Sequence, residues 1–434
     1  MEMTPMNRAK TAPAAQAGAL PRIAYLVGQF PEASLTFITR EIEELRALGA
    51  EVLTCSIRKT PPVQHPGASE KAMAETTFNV LAAARNPLRF AASLVWLARR
   101  PRRALAALKL ALATSGPGPR AMLYQIIYFI EAAILARHLE RQGVGHVHSH
   151  FVVGNCTVAM LVAEMTAIRF SFTLHGPADL FEPFRWRLDE KVARADFVST
   201  ISYYARSQIM FFSDPAHWEK IRIIHCGVRP ALYETPPGPP IPPRAEGEIR
   251  LLFVGRLAPV KGLRVLLEAL AELAPEIPGL RLVLVGDGPD RARLEEAAAP
   301  LGDRVTFTGY LSQDEVAGAM QGTDICVLPS FAEGVPVVLM EAFASAKPVI
   351  ATQVAGVGEL VAQGESGLIV PPGDRDSLIA AIRKLAADPD LRARMGAAGR
   401  AKVVADFDIS VEASRLARLF AGQAGDAVRP DPLS

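Results

Sequence analysis

Two glutamates eight residues apart offer the most specific chemistry in this sequence. The stretch VLPSFAEGVPVVLME places Glu333 in a loop after a predicted strand and Glu341 about two turns into the next predicted helix. Gly334, Val335 and Pro336 open that helix, whose free N–H groups and positive dipole end suit a diphosphate. Glu333, beside this terminus, can accept hydrogen bonds from sugar hydroxyls. Paired glutamates at this spacing are commonplace on solvated helices. Whether these two are functional therefore depends on the residues around them.

Two cations follow another predicted strand. In LLFVGRLAPVKGL, Gly255 and Arg256 end the strand, and Lys261 precedes the next helix. An arginine fork and a lysine point charge at one strand end can hold phosphate groups, although either alone would be an ordinary surface charge. The nearby LVGDGP turn lacks the third glycine of the dinucleotide fingerprint, because Arg291 stands there. We therefore reject a nicotinamide cofactor as the leading interpretation.

The first half of the chain adds a glycine and several histidines. Gly28 closes the first predicted strand in a flexible turn that permits close approach of a ligand. His175 ends a later strand directly before Gly176, where its side chain would project into a cleft. The alternating histidines of HVHSH, residues 146–150, would share one strand face. We predict no metal site there, because the sequence shows no cysteine or carboxylate cluster nearby.

The elements that must position these residues are short strands alternating with amphipathic stretches, the pattern of βαβ units. In the first half, the predicted strands cover residues 22–29, 51–57, 146–151, 170–175, 197–202 and 221–226. In the second half, they cover 249–254, 281–285, 305–308, 325–328, 349–351 and 367–370. The pattern predicts two Rossmann-like α/β domains with parallel sheets. Such sheets bind ligands beyond the carboxyl ends of their strands, so the chemistry should lie between the domains.

A proline-rich stretch separates the two halves. Six prolines between Pro236 and Pro243 preclude a helix and favour a stiff, extended linker. The predicted order is a disordered leader at 1–20, the first domain at 21–230, the linker at 231–248, the second domain at 249–407, a helix at 408–422 that crosses back to the first domain, and a tail at 423–434.

A basic insert at residues 85–120 departs from the βαβ pattern. It contains no acidic residue, and its cations are Arg85, Arg89, Arg99, Arg100, Arg102, Arg103, Lys109 and Arg120. The segment predicts a basic amphipathic helix pair, which suits an anionic membrane surface. The alternative is the solvated face of a helical hairpin packed on the first domain. No apolar run reaches the roughly 20 residues needed to span a bilayer, so we expect peripheral attachment.

Composition excludes several classes of protein. The chain has 434 residues, of which 50% are hydrophobic, and 47 basic residues nearly balance 45 acidic ones. Extensive disorder is therefore excluded, and no global field favours nucleic acid as a partner. The four cysteines lie far apart and form neither a metal knuckle nor a disulfide framework. With no apolar core in the polar N-terminal stretch, we expect a cytoplasmic protein without a signal peptide.

A series of motifs in a fixed order is more specific than any single one. They are FPEASLTFITREIEEL, HSHF, FTLHGPADLF, ARADFVSTIS, IIHCGV, LLFVGRLAPVKG, LVGDGP, FTGYL and LPSFAEGVPVVLMEAFASAKPVIAT. Through them the chain resembles the family 4 retaining glycosyltransferases of the GT-B fold, over about residues 22–420. Within that family, the stretch from HGPADLF to IIHCGV looks most like bacterial enzymes of colanic-acid and other exopolysaccharide assembly.

The resemblance implies roles for individual residues. Arg256 and Lys261 would hold the donor diphosphate, Glu333 the donor sugar and Glu341 the ribose. Gly28 would let the first-domain loop approach the phosphates, and His175 would contact the donor sugar or support charge at the reacting centre. Gly309 and Tyr310 would lie near the base. One departure concerns the hinge: Arg229 and Pro230 follow Cys226-Gly227-Val228, where the family usually has an aspartate.

The expected function is transfer of a sugar from a UDP- or GDP-sugar to a polyprenyl-diphosphate-linked glycan, without a metal or other cofactor. The enzyme would be peripheral on the cytoplasmic face of the membrane. Two alternatives stay open: a non-catalytic module that binds a nucleotide sugar within an assembly complex, and a nucleotide-sugar epimerase.

Overall fold

The structure, a computed structural model, describes residues 20–65, 67–234, 238 and 241–423. The predicted leader up to residue 19, most of the prolines of the predicted linker and the tail from residue 424 lie outside these residues. The described chain forms two parallel sheets with helices on their faces.

The first sheet has seven parallel strands in the order β3-β2-β1-β4-β5-β6-β7. Its strands are β1 (Ile23–Gln29), β2 (Val52–Arg58), β3 (Phe78–Asn79), β4 (His146–His150), β5 (Arg169–Leu174), β6 (Val198–Thr200) and β7 (Ile221–Ile223). Its helices are α1 (Thr36–Ala47), α2 (Ala68–Thr76), α3 (Val80–Ala84), α4 (Pro87–Ala98), α5 (Pro101–Ala113), α6 (Pro119–Arg141), α7 (Gly154–Met165), α8 (Leu188–Arg194) and α9 (Tyr203–Phe211). The strand order reverses between β1 and β4, which opens a crevice at their carboxyl ends.

The second sheet has six parallel strands in the order β10-β9-β8-β11-β12-β13. Its strands are β8 (Ile249–Val254), β9 (Leu280–Val285), β10 (Val305–Gly309), β11 (Ile325–Leu328), β12 (Val349–Thr352) and β13 (Gly367–Val370). Its helices are α10 (Leu263–Leu273), α11 (Arg291–Ala298), α12 (Gln313–Gln321), α13 (Val337–Ala344), α14 (Val357–Leu360), α15 (Arg375–Ala387) and α16 (Pro389–Asp406). Here the order reverses between β8 and β11, the strands that precede the two motifs with Lys261 and Glu333.

The last helix, α17 (Ile409–Phe420), returns to the first sheet. Phe420 is fully buried there, with its ring 6.4 Å from that of Tyr25 and 5.3 Å from that of His148. Arg169 also donates a hydrogen bond of 2.7 Å to the Phe420 carbonyl. Where the chain crosses between the domains, Val228 and Asp408 form a parallel β-bridge. The two interdomain connections therefore lie side by side.

The basic insert forms α4 and α5, which pack on the first domain. The inner face of α5 is buried at Ala107, Leu110 and Ala111, whereas Ser93 is the one buried residue of α4. Seven of the eight cations are exposed. The eighth, Arg100, is half-buried and pairs with Glu140 at 2.8 Å. The insert thus has a packed inner face and a basic outer one.

Helix α6 differs from the expectation that no segment is long enough to span a bilayer. By length and composition alone, this 23-residue helix could cross a membrane. Its second half is buried in the core of the first domain, from Glu131 through Ala136, and packs on α7. A core helix of a globular domain can have the same length and composition as α6. The second half of α6 is such a core segment.

Candidate active site

A cavity of about 730 Å³ lies between the carboxyl ends of the two sheets. The first domain contributes residues of the loop after β1, together with Phe151, His175 and Cys226. The second domain contributes Gly255, Arg256, Lys261, Tyr310, Glu333–Val338 and Glu341. Most residues singled out in the sequence of the second domain therefore converge on one space, as the carboxyl-end argument predicts for parallel sheets.

Lys261 and Glu333 form an ion pair at the wall of this cavity. Lys261, in a short 3-10 turn after β8, donates a hydrogen bond of 2.6 Å from Nζ to Oε1 of Glu333. Ser330 Oγ donates a second one of 2.6 Å to the same oxygen. The other carboxylate oxygen, Oε2, has no hydrogen bond to a described residue. This arrangement places a cation and a free carboxylate oxygen side by side.

Arg256 faces the same cavity and has no hydrogen bond or ion pair to any residue that the structure describes. Across the cleft, the half-buried Glu32 follows β1. Burial raises the pKa of the Glu32 carboxyl, and the nearby positive charge of Arg256 partly offsets the increase. Arg256 is therefore an uncommitted cation in the cavity, available to an anionic ligand. Glu32 was not identified from the sequence.

The first turn of α13 also ends at the cavity. Pro336 precedes the helix, and Val335, Pro336, Val337 and Val338 all line the space. The N–H groups of this turn and the positive end of the helix dipole therefore lie close to Arg256 and Lys261. Three features that favour negative charge meet on one side of the cavity.

Glu341, one turn into α13, is buried at the edge of the cavity. Its Oε1 accepts a hydrogen bond of 2.5 Å from Nη2 of Arg40, which lies on α1 of the first domain. Arg40 was not identified from the sequence. It follows Phe37 by three residues on α1 and so shares its face of the helix, but a single arginine on a helix ordinarily indicates a solvated face.

Of the remaining predicted residues Gly28, Gly309 and Tyr310, only Tyr310 lines the cavity. Gly28 lies inside β1, not in a flexible turn after it as predicted, and it is outside the set of residues that line the cavity. The segment that approaches the cavity runs from Gln29, the last residue of β1, to Phe37 in the first turn of α1. Tyr310 lines the cavity, whereas Gly309 ends β10 and accepts a hydrogen bond from the N–H of Gly286. The glycine turn LVGDGP is needed for packing: a Cβ on Gly286 would lie 2.0 Å from the Gly255 carbonyl oxygen.

His175 meets the second domain through its backbone. Its Nε2 lies 2.7 Å from Nδ1 of His150, and its Nδ1 lies 3.7 Å from Sγ of Cys226. Both ring nitrogens thus face protein groups, and His175 also lines the cavity. Its contact with the donor sugar, or its support of charge at the reacting centre, stays a prediction. The His175 carbonyl oxygen touches Gly334, where an added Cβ would lie only 2.2 Å away. The two domains touch at this point because residue 334 has no side chain.

Behind His175 lies a buried cluster of histidines on β4. His146 and His148 share the hydroxyl of Ser171, at 2.6 and 2.7 Å, and His148 also bonds Thr173 at 2.9 Å. Glu41 of α1 lies 3.5 Å from Nε2 of His150. The sequence shows no carboxylate cluster near these histidines, but the fold brings the single carboxylate of Glu41 beside them.

The group Glu41, His148 and His150 has the spacing of a metal site. The hydroxyls of Ser171 and Thr173 already bond both nitrogens of His148, and Tyr25 donates a hydrogen bond of 2.6 Å to Glu41. A metal ion would have to displace these partners. The absence of a metal here stays a prediction.

Burial sets the protonation of this cluster. It lowers the pKa of His146 to about 3, where the charge of Arg169 adds to the effect, and it lowers the pKa of His175 to about 3. Burial, with the neighbouring histidines, also holds the pKa of His148 and of His150 well below the ordinary range. In the opposite sense, burial raises the pKa of Glu41 to about 7, although the Tyr25 hydrogen bond opposes the rise. The four histidines are therefore neutral at neutral pH, where Glu41 is about half protonated.

Two domain families cover most of the chain. Residues 36–232 match the model of Glycosyltransferase Family 4, and residues 239–402 match that of Glycosyl transferases group 1. The chain consists of a family 4 glycosyltransferase domain followed by a group 1 glycosyltransferase domain. The lysine–glutamate pair and the start of α13 belong to the group 1 domain, and His175 belongs to the family 4 domain.

Curated relatives align with parts of this chain. D-inositol 3-phosphate glycosyltransferase of Stackebrandtia nassauensis is 34% identical over 319 residues, which are 69% of this chain and 66% of that protein. A GDP-mannose-dependent phosphatidylinositol monomannoside mannosyltransferase of Mycolicibacterium smegmatis is 30% identical over 253 residues, 53% of this chain and 63% of that protein. For alpha-D-kanosaminyltransferase of Streptomyces kanamyceticus, the match covers 39% of this chain and 45% of that protein, at 34% identity. These alignments span less than two thirds of the relatives' own lengths.

Solved structures share the fold of the two glycosyltransferase domains. The Anabaena protein HepE, solved in complex with UDP and glucose, superposes with a TM-score of 0.69 at 18% identity. The superposition covers 93% of this chain and all of HepE. The architecture is GT-B, with two Rossmann-like domains that face each other across a cleft.

Replacement of Gly334 by alanine should separate the domains at the cleft. The added Cβ would lie 2.2 Å from the His175 carbonyl oxygen and 2.9 Å from Ile201 Cδ1, both in the first domain. We expect faster amide hydrogen exchange around His175 and at the start of α13. Gly358→Ala is the matched control, because no heavy atom lies within 4 Å of its added Cβ. Equal exchange in both variants would contradict the contact.

The histidine cluster predicts that acid destabilises the fold. Below the ordinary histidine pKa of 6.5, the unfolded chain binds protons that these four histidines exclude in the folded state. The free energy of unfolding therefore decreases as the pH is lowered, by up to about 1.4 kcal/mol per pH unit for each histidine. Glu41 acts in the opposite direction between its ordinary pKa of 4.5 and about 7, because the folded state holds its proton.

Urea unfolding at pH 7.5, 6 and 5 measures both effects. The free energy of unfolding should fall from pH 7.5 to 5, and it should fall more steeply in Glu41→Gln, which lacks the opposing group. A wild-type stability that is independent of pH in this range, or a shallower slope in the variant, would refute the assignment.

Proposed function

We propose that the protein is a retaining glycosyltransferase that moves a sugar from a nucleotide diphosphate donor to an acceptor hydroxyl. The observation that carries this proposal is the convergence of Arg256, Lys261, Glu333 and Glu341 with the start of α13 on one cavity. Cations and a helix N-terminus suit a diphosphate, and carboxylates suit the hydroxyls of a ribose and a sugar.

The donor binds with its diphosphate at the α13 terminus. Arg256 is uncommitted and binds phosphate by its fork, while Lys261 turns from Glu333 toward the diphosphate as a point charge. Glu333 accepts hydrogen bonds from the donor sugar, and Glu341 accepts them from the ribose. Two relatives support a nucleotide-sugar donor: HepE is solved in complex with UDP and glucose, and the mannosyltransferase is GDP-mannose-dependent by name.

The transfer proceeds with substitution on one face of the sugar. The bond between the anomeric carbon and the diphosphate oxygen breaks, and the acceptor oxygen forms its bond from the same side. The acceptor's hydroxyl proton passes to the leaving phosphate oxygen. Negative charge grows on the diphosphate as its bond to the anomeric carbon breaks, before the proton arrives, and Arg256, Lys261 and the helix terminus stabilise that charge without a metal ion.

Glu333 is a poor fit for a covalent nucleophile in this reaction. Ser330 donates a hydrogen bond to its Oε1, and this bond still holds the carboxylate when Lys261 turns to the diphosphate. A hydrogen-bonding role toward the sugar agrees better with this setting.

The proposed acceptor is a lipid-linked glycan at the cytoplasmic face of the membrane, in exopolysaccharide or cell-surface polysaccharide synthesis. The outer face of the basic insert supports it, because exposed cations stand beside exposed apolar side chains there. Leu88 is 80% exposed, and Val95 and Leu105 are each about half exposed. Between α4 and α6, an open cavity of about 750 Å³ is lined by Trp96, Arg99, Arg100 and Arg137 among others. Such a surface suits anionic lipid headgroups.

The donor site is tested by a nucleotide panel in EDTA. Calorimetry and thermal shift with UDP, GDP, ADP, TDP and their sugar conjugates should give binding to one nucleotide class. Lys261→Ala and Glu333→Gln should each lower transfer by about 100-fold or more with the fold intact, since each removes charge stabilisation of a few kcal/mol. Arg264→Ala, an exposed cation on α10, is the control and should transfer normally.

Two outcomes would contradict the donor site. Near-normal transfer in Lys261→Ala or Glu333→Gln would remove these residues from it. Absence of binding to every nucleotide would instead favour the non-catalytic assembly module. An altered sugar in a product formed without acceptor would favour the epimerase.

Membrane attachment is tested by removing three exposed cations of the insert. Arg99, Arg102 and Arg103 have no ion pair to a described residue, whereas Arg100 stacks on Trp96 at 4.3 Å and is left in place. The triple substitution to glutamine should release the protein from anionic phospholipid vesicles and leave nucleotide binding unchanged. A control with equal charge loss on the second domain, Arg264, Arg293 and Arg394 to glutamine, should still sediment with vesicles. Equal vesicle binding by both variants would refute the insert as the membrane contact.

A further inference from the structure

The side chain of Arg40 leaves the first domain and ends inside the second. It is 2% exposed and lies between three groups that follow it by 193 to 301 residues in the chain. Its Nε donates a hydrogen bond of 2.8 Å to Oε1 of Gln313, and its Nη2 donates to the hydroxyl of Tyr233 at 3.3 Å and to Glu341 at 2.5 Å. One guanidinium therefore holds three positions of the second domain and the hinge.

Glu341 depends on this arginine for its charge. Its side chain is only 9% exposed, and a carboxylate so far from water is costly unless a cation accompanies it. Arg40 is the one cation within ion-pair distance of Glu341 among the described residues. The pairing uses a defined oxygen, Oε1, and Glu341 also lines the cavity.

The same helix connects this pair to the reacting side of the cleft. Phe37, one turn before Arg40, lines the cavity with its ring 4.7 Å from that of His175. At the far end of the helix, Glu43 and Glu44 pair with Arg229 of the hinge at 3.0 and 2.5 Å. A displacement of α1 would therefore move the partner of Glu341, the neighbour of His175 and the hinge contact together.

We infer that Arg40 is a positioning residue of the donor site, which holds the Glu341 carboxylate in the orientation that accepts hydrogen bonds from the ribose hydroxyls. Ribose recognition by the second domain then requires contact with the first. This inference rests on the proposed function, in which Glu341 binds the ribose.

The test compares ribose with its deoxygenated form. Dissociation constants are measured by calorimetry for the nucleoside diphosphate that binds wild type in the panel and for its 2′,3′-dideoxy analogue. Wild type should prefer the ribose form by about 10- to 100-fold, the effect of leaving one buried acceptor unpaired. In Glu341→Gln and in Arg40→Met the preference should fall to about threefold or less. A merely structural role of Arg40 would weaken both ligands equally.

Two further variants control for folding. Arg46→Met removes another arginine of α1, whose Nη2 bonds the Val52 carbonyl within the first domain, and should keep the wild-type preference. If Arg40→Met does not fold, Arg40→Lys carries the test. A lysine keeps the charge but cannot hold Gln313 and Glu341 together, so the ribose preference should fall by about threefold or more.

The outcomes separate this inference from the proposed function. A wild-type preference for ribose that Arg40→Met retains, or tighter binding in that variant, would overturn the role of Arg40 alone. Failure of wild type to bind any nucleoside diphosphate would overturn the proposed function and this inference together. Loss of the preference in both Arg40→Met and Glu341→Gln, with Arg46→Met unaffected, is the expected result.

Discussion

Arg40 and Glu341 come from different domains, and both are withdrawn from water. Because a buried charge without a partner is costly, neither residue can keep its position unless the domains meet as they do here. A second contact, between the His175 carbonyl and Gly334, fixes the same meeting by shape alone. The cavity lies between the two domains that these contacts help to hold together.

Helix α1 belongs to the first domain, but it contacts the cavity, the second domain, the histidine cluster and the hinge. It faces the cavity at Phe37, the second domain at Arg40, the histidine cluster at Glu41 and the hinge at Glu43 and Glu44. On its other side it packs against α17, the helix that returns from the second domain. The short amphipathic segment after β1 is thus the common support of features that are distant in sequence.

The sequence predicts most of the strands and the place of the cleft, because strand patterns and carboxyl-end motifs are local signals. Local motifs also identify Lys261 and Glu333. They miss Arg40, whose partner Glu341 lies 301 residues away, and they miss Glu41, which a helix brings to the histidines of β4. They also place Gly28 in a turn, whereas it lies inside β1. Such contacts depend on how elements pack, which no spacing within one motif encodes.

The adjacent interdomain crossings have a consequence for exchange of domains. Val228 and Asp408 form a β-bridge, so the second domain leaves and rejoins the first at neighbouring backbone positions. Residues 229–407 therefore form a cassette, that is, a segment joined to the first domain at two neighbouring backbone positions. A homologous cassette joined at the same two positions would meet the first domain with its ends already at the correct separation. The two domains of such a protein can therefore be joined without a change in the length of either connection.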